Sequence, residues 1–294
     1  MKKLADKIKR VGLLANSDKV SCRSLVRKAA TLIQTSNRTV WSDAATAQLA
    51  HLHLPTSPDA ASLIQQVDLL MVFGGDGTML RVAREIAGAT TPILGINVGG
   101  LGFLTDIQAH QLPLALQQIW AGDIVLESRP LIEAAAHTGG RLIAERALND
   151  FVITRGAEPR LIELDVTVNN EPLTRYRCDG LIVASPTGST AYSLSAGGAV
   201  VSPGAEVFTL TPICPHTLSN RSVIVSLNSV IEVKVLSSHL PTVLNADGRD
   251  STPLLPGDVV TIQRSQHAIR LLRLAGSSFF DTLRRKLNWR GSNL

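Results

Sequence analysis

Hydrophobic positions divide this chain of 294 residues into two parts with different periodicities. Up to about residue 121, strand-length apolar runs such as residues 11–15 alternate with stretches that repeat apolar side chains at helical spacing. One such stretch carries Leu25, Val26, Ala29, Leu32 and Ile33. This alternation is typical of a parallel sheet covered by helices, and it predicts an α/β domain.

Beyond Asp123, short runs in which apolar and polar residues alternate replace that pattern, and the run at residues 161–168 is predicted to end in a turn at Asn169-Asn170. Strands are predicted at residues 131–136, 142–154, 161–168, 207–213, 222–227, 230–236, 258–263 and 268–274. Such a series predicts an all-β, sandwich-like C-terminal domain. Residues 277–287 return to helical periodicity, and we expect this C-terminal helix to return to the first domain.

The expected organisation is therefore a Rossmann-like α/β domain with a parallel sheet at residues 1–125, joined by 277–294, and a β-rich domain at 126–276. Hydrophobic content of 45% and charged content of 18% fit an ordinary globular protein without a membrane-length apolar run. No signal-type apolar segment follows the basic N-terminus, so we expect cytoplasmic residence and no membrane partner.

Charge and cysteine usage narrow the function classes further. Net charge is +5, but the only dense basic cluster, Arg284, Arg285 and Lys286 with Arg290, is expected on the outer face of the terminal helix. Together with an aromatic content of 4%, this argues against a nucleic-acid partner. The cysteines lack metal-ligand spacing and are each expected to be reduced and buried: Cys22, Cys178 and Cys214.

The most informative segment is Gly74-Gly75-Asp76-Gly77-Thr78, which directly follows the apolar run at residues 67–73. Glycines can adopt positive φ and let amide N–H groups converge on an anion, and the following helix adds its dipole at the same place. A carboxylate beside bound phosphate needs a bridging divalent cation or a proton to remove from a substrate hydroxyl. The segment therefore indicates phosphoryl transfer, against the alternative of a simple capped turn.

A second glycine-rich segment, residues 98–106, follows the predicted strand at residues 92–97. Because ligands of open α/β sheets bind at the carboxyl ends of the strands, both glycine-rich segments are expected to face one crevice. The common nucleotide-binding signatures GxxxxGK[ST] and GxGxxG are absent from the sequence, as are the protein-kinase motifs.

A third motif, residues 179–193, lies in the β-rich part and reads DGLIVASPTGSTAYS. Its small side chains at 187–190 let a ligand approach the backbone at a predicted helix start, and Tyr192 offers a flat face for a base. The polar pair Asn149-Asp150 interrupts a neighbouring apolar strand, which is costly unless both residues have partners. A bound ribose or adenine edge would supply such partners.

Taken together, these segments resemble the ATP-NAD kinase family over nearly the whole chain. The resemblance is carried by Gly74–Thr78, Asn97, Gly99–Asp106, Asn149-Asp150, Asp179–Gly198, Pro215-His216-Thr217-Leu218-Ser219-Asn220-Arg221, Asp247-Gly248 and Phe279–Trp289. The combination of GGDGT with PTGSTAYSLSAGG is the specific part, because GGDGT alone also resembles lipid kinases and phosphofructokinase-like enzymes.

The resemblance implies transfer of the γ-phosphoryl group of ATP to the adenosine 2′-hydroxyl of NAD, giving NADP and ADP. It also implies Mg²⁺ or another divalent ion, a homodimer or homotetramer, a nucleotide-binding first domain and an NAD-binding second domain. No residue is assigned to the metal. Asp76 would be the catalytic acid-base residue. Gly74, Gly75 and Thr78 would form the phosphate-donor loop. The NAD-binding residues implied are Gly77, Phe103, Asn149, Asp150, Arg177, Asp179, Thr190, Ala191, Tyr192 and Ser195.

Within that set, Gly77 and Phe103 would line the adenosine site, and Arg177 and Asp179 would reach the diphosphate and nicotinamide. Three positions depart from the family pattern: Asp150 replaces the usual Glu, Arg249 a common Gln, and Cys178 a frequent Gly. The shorter Asp150 carboxylate puts the closeness of its ribose contact in question. Donor choice and the preference for NAD or NADH stay open. Two alternatives remain, a lipid kinase that shares GGDGT and a non-catalytic dinucleotide-binding regulator.

Overall fold

A computed structural model describes residues 2–105, 107–156, 160–217, 221–237, 241–249 and 252–289. The chain forms two compact units. The first unit is Met1–Ser128 with Ile269–Leu294, and the second unit is Arg129–Ala268. Several residues quoted for their sequence pattern lie outside the described residues: Asp106, Leu218, Ser219, Asn220 and Arg290.

The helices are α1 Lys2–Ala5, α2 Cys22–Gln34, α3 Ala44–Ala50, α4 Ala60–Ile64, α5 Asp76–Glu85, α6 Leu112–Ala121, α7 Tyr192–Ser195 and α8 Phe279–Lys286, with 3₁₀ turns at Ala109–Gln111 and Gly188–Thr190. The strands are β1 Arg10–Ala15, β2 Thr39–Asp43, β3 Thr56–Ser57, β4 Leu69–Gly74, β5 Ile93–Asn97, β6 Ile107–Gln108, β7 Ile124–Thr138, β8 Arg141–Ala147, β9 Asp150–Arg155, β10 Ile162–Val168, β11 Glu171–Cys178, β12 Gly180–Ala184, β13 Val207–Ile213, β14 Val223–Ser226, β15 Ile231–Val235, β16 Thr242–Ala246, β17 Thr252–Leu254 and β18 Val259–Leu274.

The first unit is built on a parallel sheet. Its strands lie in the order β5-β4-β1-β2-β3, and the end of β18 joins at β5 through the pair Leu271 and Ile93. Every residue of β4 is buried, which fits the continuous apolar run of a strand covered on both faces. α2 buries one apolar face against this sheet through Leu25, Val26, Ala29, Ala30 and Ile33. Because β4 and β5 are parallel neighbours, the segments that follow them leave the same edge of the sheet.

The second unit is an antiparallel sandwich. One sheet has the order β14-β13-β12-β9-β16-β17, and the other contains β11-β10-β15 and the first part of β18. Buried side chains of both sheets form one core, with Phe151, Leu181 and Phe208 from the first and Leu164 and Val233 from the second. The alternating burial along β10 is the pattern expected of a strand with one face in the core.

The predicted fold class is confirmed: a parallel α/β unit, an antiparallel β sandwich, and a terminal helix α8 that belongs to the first unit. Two strand predictions were wrong. The strand predicted at 142–154 is divided at Leu148-Asn149, because the Asp247 side chain accepts backbone N–H groups there. The two strands predicted at 258–263 and 268–274 form the single strand β18. The prediction that every cysteine is buried fails at Cys214, which is exposed.

The hairpin turn between β10 and β11 generates a test of the fold. Asn169 and Asn170 have φ values of 53° and 64°, the left-handed region that a two-residue hairpin turn requires. Replacing the exposed Asn170 by Val should lower the free energy of unfolding by about 1–2 kcal/mol, because β-branched residues are strained there. Urea unfolding measures the loss, and Asn170→Gly is the matched control. Equal stability of the Val and Gly variants would contradict this description of the turn.

Candidate active site

Asp76 is the first residue of α5 and follows β4 after the single linking residue Gly75. Gly75 has extended backbone, and Gly74 and Gly77 are likewise not among the residues with positive φ. The expectation that these glycines provide positive φ was therefore wrong. Gly74 is required for space, because a Cβ atom there would overlap the side chain of Thr78. At Gly75 and Gly77 a Cβ would meet nothing within 4 Å, so their backbone is open to a ligand.

The Asp76 carboxylate is held by the segment that follows β5. Its Oδ2 accepts the backbone N–H of Phe103 at 2.8 Å. Its Oδ1 accepts the N–H groups of Leu104 at 3.0 Å and Thr105 at 3.2 Å, and the Thr105 hydroxyl lies 3.1 Å from the same oxygen. The two glycine-rich segments predicted to share a crevice are thus joined directly, through the candidate catalytic acid itself.

Two further glycines make this approach possible. A Cβ on Gly102 would overlap Asp76 Oδ1 and the Thr105 hydroxyl. A Cβ on Gly95 of β5 would lie 2.6 Å from the carbonyl oxygen of Leu104. Neither glycine has positive φ, so both are needed because backbone and carboxylate pack closely, and not for their conformational freedom.

Phe103, which the resemblance assigns to the adenosine site, contacts the C-terminal part of the first unit. Its ring centroid lies 6.0 Å from that of Phe279, and the Lys286 ammonium lies 4.5 Å from the ring centroid. Its carbonyl oxygen accepts a 3.5 Å hydrogen bond from Arg273. The residues of β18 and α8 that hold Phe103 were not assigned a role from the sequence, because nothing in a terminal helical pattern indicates which loop the helix will cover.

A cavity of about 360 Å³ lies beside the start of α5. It is lined by Asn16, Asp18, Asp43, Gly77, Thr78 and Arg81, among others. Burial raises the pKa of Asp43, although hydrogen bonds with Thr46 and the charge of Arg81 act in the opposite direction. Of these residues, the sequence predicted only Gly77 and Thr78, because the others lie in the turn after β1, at the end of β2 and on α5, without a motif of their own.

In the second unit, Asn149 and Asp150 are organised by Asp247. The Asp247 carboxylate accepts the backbone N–H groups of Leu148 at 3.0 Å, Asn149 at 2.8 Å and Asp150 at 3.2 Å. Asp247 has φ of 50°, and its own N–H donates to the Asp150 carbonyl oxygen. Asp247 therefore supplies partners for the backbone N–H groups of this polar pair, a role that the sequence did not reveal.

Asp150 is itself buried, with only 4% of its surface exposed. Burial, and secondarily the charge of Asp247, raises the pKa of Asp150 from 3.8 to about 7. A carboxyl group with such a pKa is partly protonated near neutral pH and can donate as well as accept a hydrogen bond.

The third motif packs directly on this pair. The Ser185 N–H donates to the Asn149 carbonyl oxygen, and the Ser185 hydroxyl donates to that of Leu148 at 2.5 Å. A Cβ on Gly188 would overlap the Asn149 carbonyl, so only glycine allows this approach. The helix predicted after the motif is short, a 3₁₀ turn followed by the single turn α7.

The remaining sequence-predicted residues are accessible. Tyr192 is 48% exposed at the start of α7, Ser195 is exposed at its end, and Thr190 and Ala191 precede it half-buried. Asp179 forms an ion pair with Arg155 at 2.8 Å, a partner that the sequence did not indicate. Arg177 is exposed on β11.

Two searches of the described residues gave negative results. In this part of the chain no group of three or more His, Cys, Asp or Glu side chains is placed to hold a metal ion. Among the same residues, no helix combines the length and apolar character needed to cross a membrane.

The fold and the glycine-rich segments are those of the class of nucleotide-binding α/β enzymes. Comparison with known proteins shows which family of that class the chain belongs to. The family model for the ATP-NAD kinase N-terminal domain matches residues 11–124, and that for the C-terminal domain matches residues 148–274. The chain therefore belongs to the ATP-NAD kinase family. An NAD kinase of Heliobacterium modesticaldum is 40% identical over 278 residues, covering 94% of this chain and 98% of the relative. One of Symbiobacterium thermophilum is 47% identical over 224 residues, covering 76% and 79%.

Two solved structures are also similar. A yeast NADH kinase complexed with NADH has a TM-score of 0.89 at 27% identity, covering 98% of this chain and 89% of that one. An NAD kinase from Archaeoglobus fulgidus in complex with ATP has a TM-score of 0.74 at 26% identity, covering 96% and 100%. These comparisons support NAD kinase activity over the lipid-kinase and regulator alternatives.

The close approach of Gly102 to Asp76 predicts a sharp difference between two alanine substitutions in one loop. Gly102→Ala should lower NAD kinase turnover by at least about tenfold, because displacing a reacting group by about 1 Å is already costly. Gly100→Ala is the matched control, since a Cβ there meets nothing within 4 Å. Steady-state kinetics measure both variants. Turnover of Gly102→Ala equal to that of Gly100→Ala would contradict the proposed packing.

The raised pKa of Asp150 predicts a pH dependence of stability. Between about pH 4 and pH 7 the folded chain keeps a proton on Asp150 that the unfolded chain has released. The free energy of unfolding therefore falls as pH rises through that window. Urea unfolding at several pH values should show a smaller decline for Asp150→Asn than for the wild type, by about 1 kcal/mol or more. Parallel declines in the two proteins would contradict the burial of Asp150.

Proposed function

We propose that this chain transfers the γ-phosphoryl group of ATP to the 2′-hydroxyl of the adenosine ribose of NAD, with Asp76 as the general base. The observation that carries this role is the fixed carboxylate between two glycine-rich segments in a chain of the ATP-NAD kinase family. A ribose hydroxyl is a poor nucleophile at neutral pH, so a base within hydrogen-bond reach must take its proton as the new bond forms.

In this step the 2′-oxygen forms a bond to the γ-phosphorus while the bond from that phosphorus to the bridging oxygen of ADP breaks. The hydroxyl proton passes to Asp76, and ADP leaves with the electron pair. General-base help is worth about 10²- to 10⁴-fold in rate. The remainder is expected from donors that neutralise charge on the transferred group.

The donor is proposed to place its terminal phosphates over the open backbone of Gly75 and Gly77. Two features of the adjoining cavity support this placement: Arg81 lines it, and so does the start of α5, whose dipole favours an anion. The buried Thr78 side chain lines the same cavity. ATP is the proposed donor because the related Archaeoglobus enzyme was solved with ATP.

Mg²⁺ fits this cavity as a companion of the donor. Asp18 and Asp43 present carboxyl oxygens there, and Mg²⁺ typically takes one or two carboxylates together with substrate phosphates. That mode of binding agrees with the lack of a three-residue metal cluster among the described residues. When bound, the ion would supply neutralisation of the phosphate charge.

NAD is proposed to bind through the residues that the family resemblance names in each unit. In the second unit, the adenosine would contact Asn149 and Asp150, where a partly protonated Asp150 can donate to a ribose or adenine acceptor. Exposed Tyr192 supplies a flat face for the adenine, with Thr190, Ala191 and Ser195 beside it. Arg177 and Asp179 would serve the diphosphate and nicotinamide. The Asp179 carboxylate already forms an ion pair with Arg155. In the first unit, Gly77 and Phe103 are the residues proposed for NAD.

A homodimer or homotetramer and a cytoplasmic location are part of the same proposal and rest on the family resemblance. Light scattering coupled to gel filtration measures the subunit number.

The activity itself is tested by incubating the purified chain with NAD and MgATP and following NADP through an NADP-specific dehydrogenase. Parallel reactions with NADH, with polyphosphate and with a chelator determine the acceptor, the donor and the metal requirement.

Asp76→Asn should lower turnover by at least about a hundredfold while NAD binding stays largely intact, because the amide cannot take the hydroxyl proton. Turnover is measured by the coupled assay and binding by calorimetry with NAD. Asp68→Asn, at the other end of β4, is the matched control for loss of a hydrogen-bonded carboxylate in the same unit. Retained turnover in Asp76→Asn would remove Asp76 from the catalytic role.

A further inference from the structure

A chain of hydrogen bonds runs from Asn97 of β5 through Thr105 to the candidate base. The Asn97 side-chain amide donates to the carbonyl oxygens of Gly100 at 2.8 Å and Thr105 at 3.1 Å. Carbonyl oxygens only accept, so the nitrogen of this amide must face them. The same nitrogen also lies 2.9 Å from the Thr105 hydroxyl oxygen, so Asn97 contacts both the backbone and the side chain of Thr105.

The direction of the bond between Thr105 and Asp76 is assigned from its carboxylate end. A carboxylate oxygen only accepts, so the 3.1 Å bond between Thr105 and Asp76 Oδ1 has the hydroxyl as its donor. Both supporting residues are inaccessible to solvent, since Asn97 is 1% exposed and Thr105 is 0% exposed. Water therefore has no access to replace either bond.

The two oxygens of Asp76 are used unequally. Oδ1 accepts three hydrogen bonds, from Leu104, from the Thr105 backbone and from the Thr105 hydroxyl. Among the described residues, Oδ2 accepts one, from Phe103. An ionised carboxylate offers about four lone-pair sites in all, two on each oxygen. Oδ1 is thus fully occupied, whereas Oδ2 keeps acceptor capacity for a substrate hydroxyl.

We propose that Thr105, oriented by Asn97, is a positioning residue that anchors Asp76 Oδ1 and so assigns proton removal to Oδ2. This inference rests on the proposed function, because it concerns the geometry of the same base. Three backbone N–H groups already tie the loop to the carboxylate. Among the described residues, the hydroxyl adds the one side-chain bond on Oδ1 to the two backbone bonds that this oxygen accepts.

Thr105→Val keeps the side-chain shape and removes the hydroxyl. It should lower kcat by about tenfold or more while KM for NAD changes by less than about twofold, since substrate binding does not use Oδ1. Thr105→Ser restores the donor and should bring kcat back to within about threefold of the wild type. Loss of packing alone would not lower kcat while KM stays unchanged, and Thr105→Ser would not restore kcat.

The matched control is Thr91→Val, which removes a half-buried hydroxyl bonded to the carbonyl oxygens of Ile64 and Val67 shortly before β5 begins. Its kcat should stay within about twofold of the wild type. If Thr105→Val does not fold, Thr105→Cys takes its place, because a thiol is a weak donor of similar shape and the same split is expected. The role of Asn97 is tested by coupling: Asn97→Ala should lower kcat less in the Thr105→Val background than in the wild type.

A kcat for Thr105→Val within about twofold of the wild type overturns the proposal, as does a failure of Thr105→Ser to rescue. Additive effects of Asn97→Ala and Thr105→Val overturn the part assigned to Asn97. Failure of the proposed function looks different, because the wild-type chain would then form no NADP from NAD and MgATP.

Discussion

The hydrogen bonds between the Asp76 carboxylate and the segment Phe103–Thr105 are the interaction on which the first unit's site depends. They join the loops that follow two adjacent parallel strands, β4 and β5, at the edge where α/β sheets bind ligands. Four donors converge on one side chain, so the position of the carboxylate and the course of the second loop are set together. A change that loosens either one is expected to misplace the other.

Close packing around the two loops explains three of the glycines, one at the end of β4, one in β5 and one in the loop that follows β5. Gly74 makes room for Thr78, Gly95 for the Leu104 carbonyl, and Gly102 for Asp76 itself, all without positive φ. Sterics at close approach, rather than conformational freedom, therefore determine these positions. Gly75 and Gly77 face open space instead, which leaves their backbone to a phosphate-bearing ligand. Under the proposed function, these glycines meet two physical needs, the support of the base and access for the phosphoryl donor.

Periodicity predicted the parallel unit, the sandwich and the return of α8, because long apolar patterns record which faces are buried. The sequence motifs also predicted Asp76 and the pair Asn149-Asp150 as site residues. What they did not reveal are contacts between residues distant in sequence: Asp247 under the Asn149 backbone, Arg155 on Asp179, and Phe279 on Phe103. Such pairings follow from how the strands are ordered in the sheets. The raised pKa of Asp150 has the same origin, because it follows from burial that only the folded chain creates.

The central claim is that Asp76 is anchored through one oxygen and acts through the other. A crystal structure with NAD bound measures this directly. We expect Oδ2 at about 3 Å from the 2′-oxygen of the adenosine ribose, with Oδ1 still on the Thr105 hydroxyl. A 2′-oxygen bound to Oδ1, or a carboxylate that has left Thr105 to reach the ribose, would contradict it.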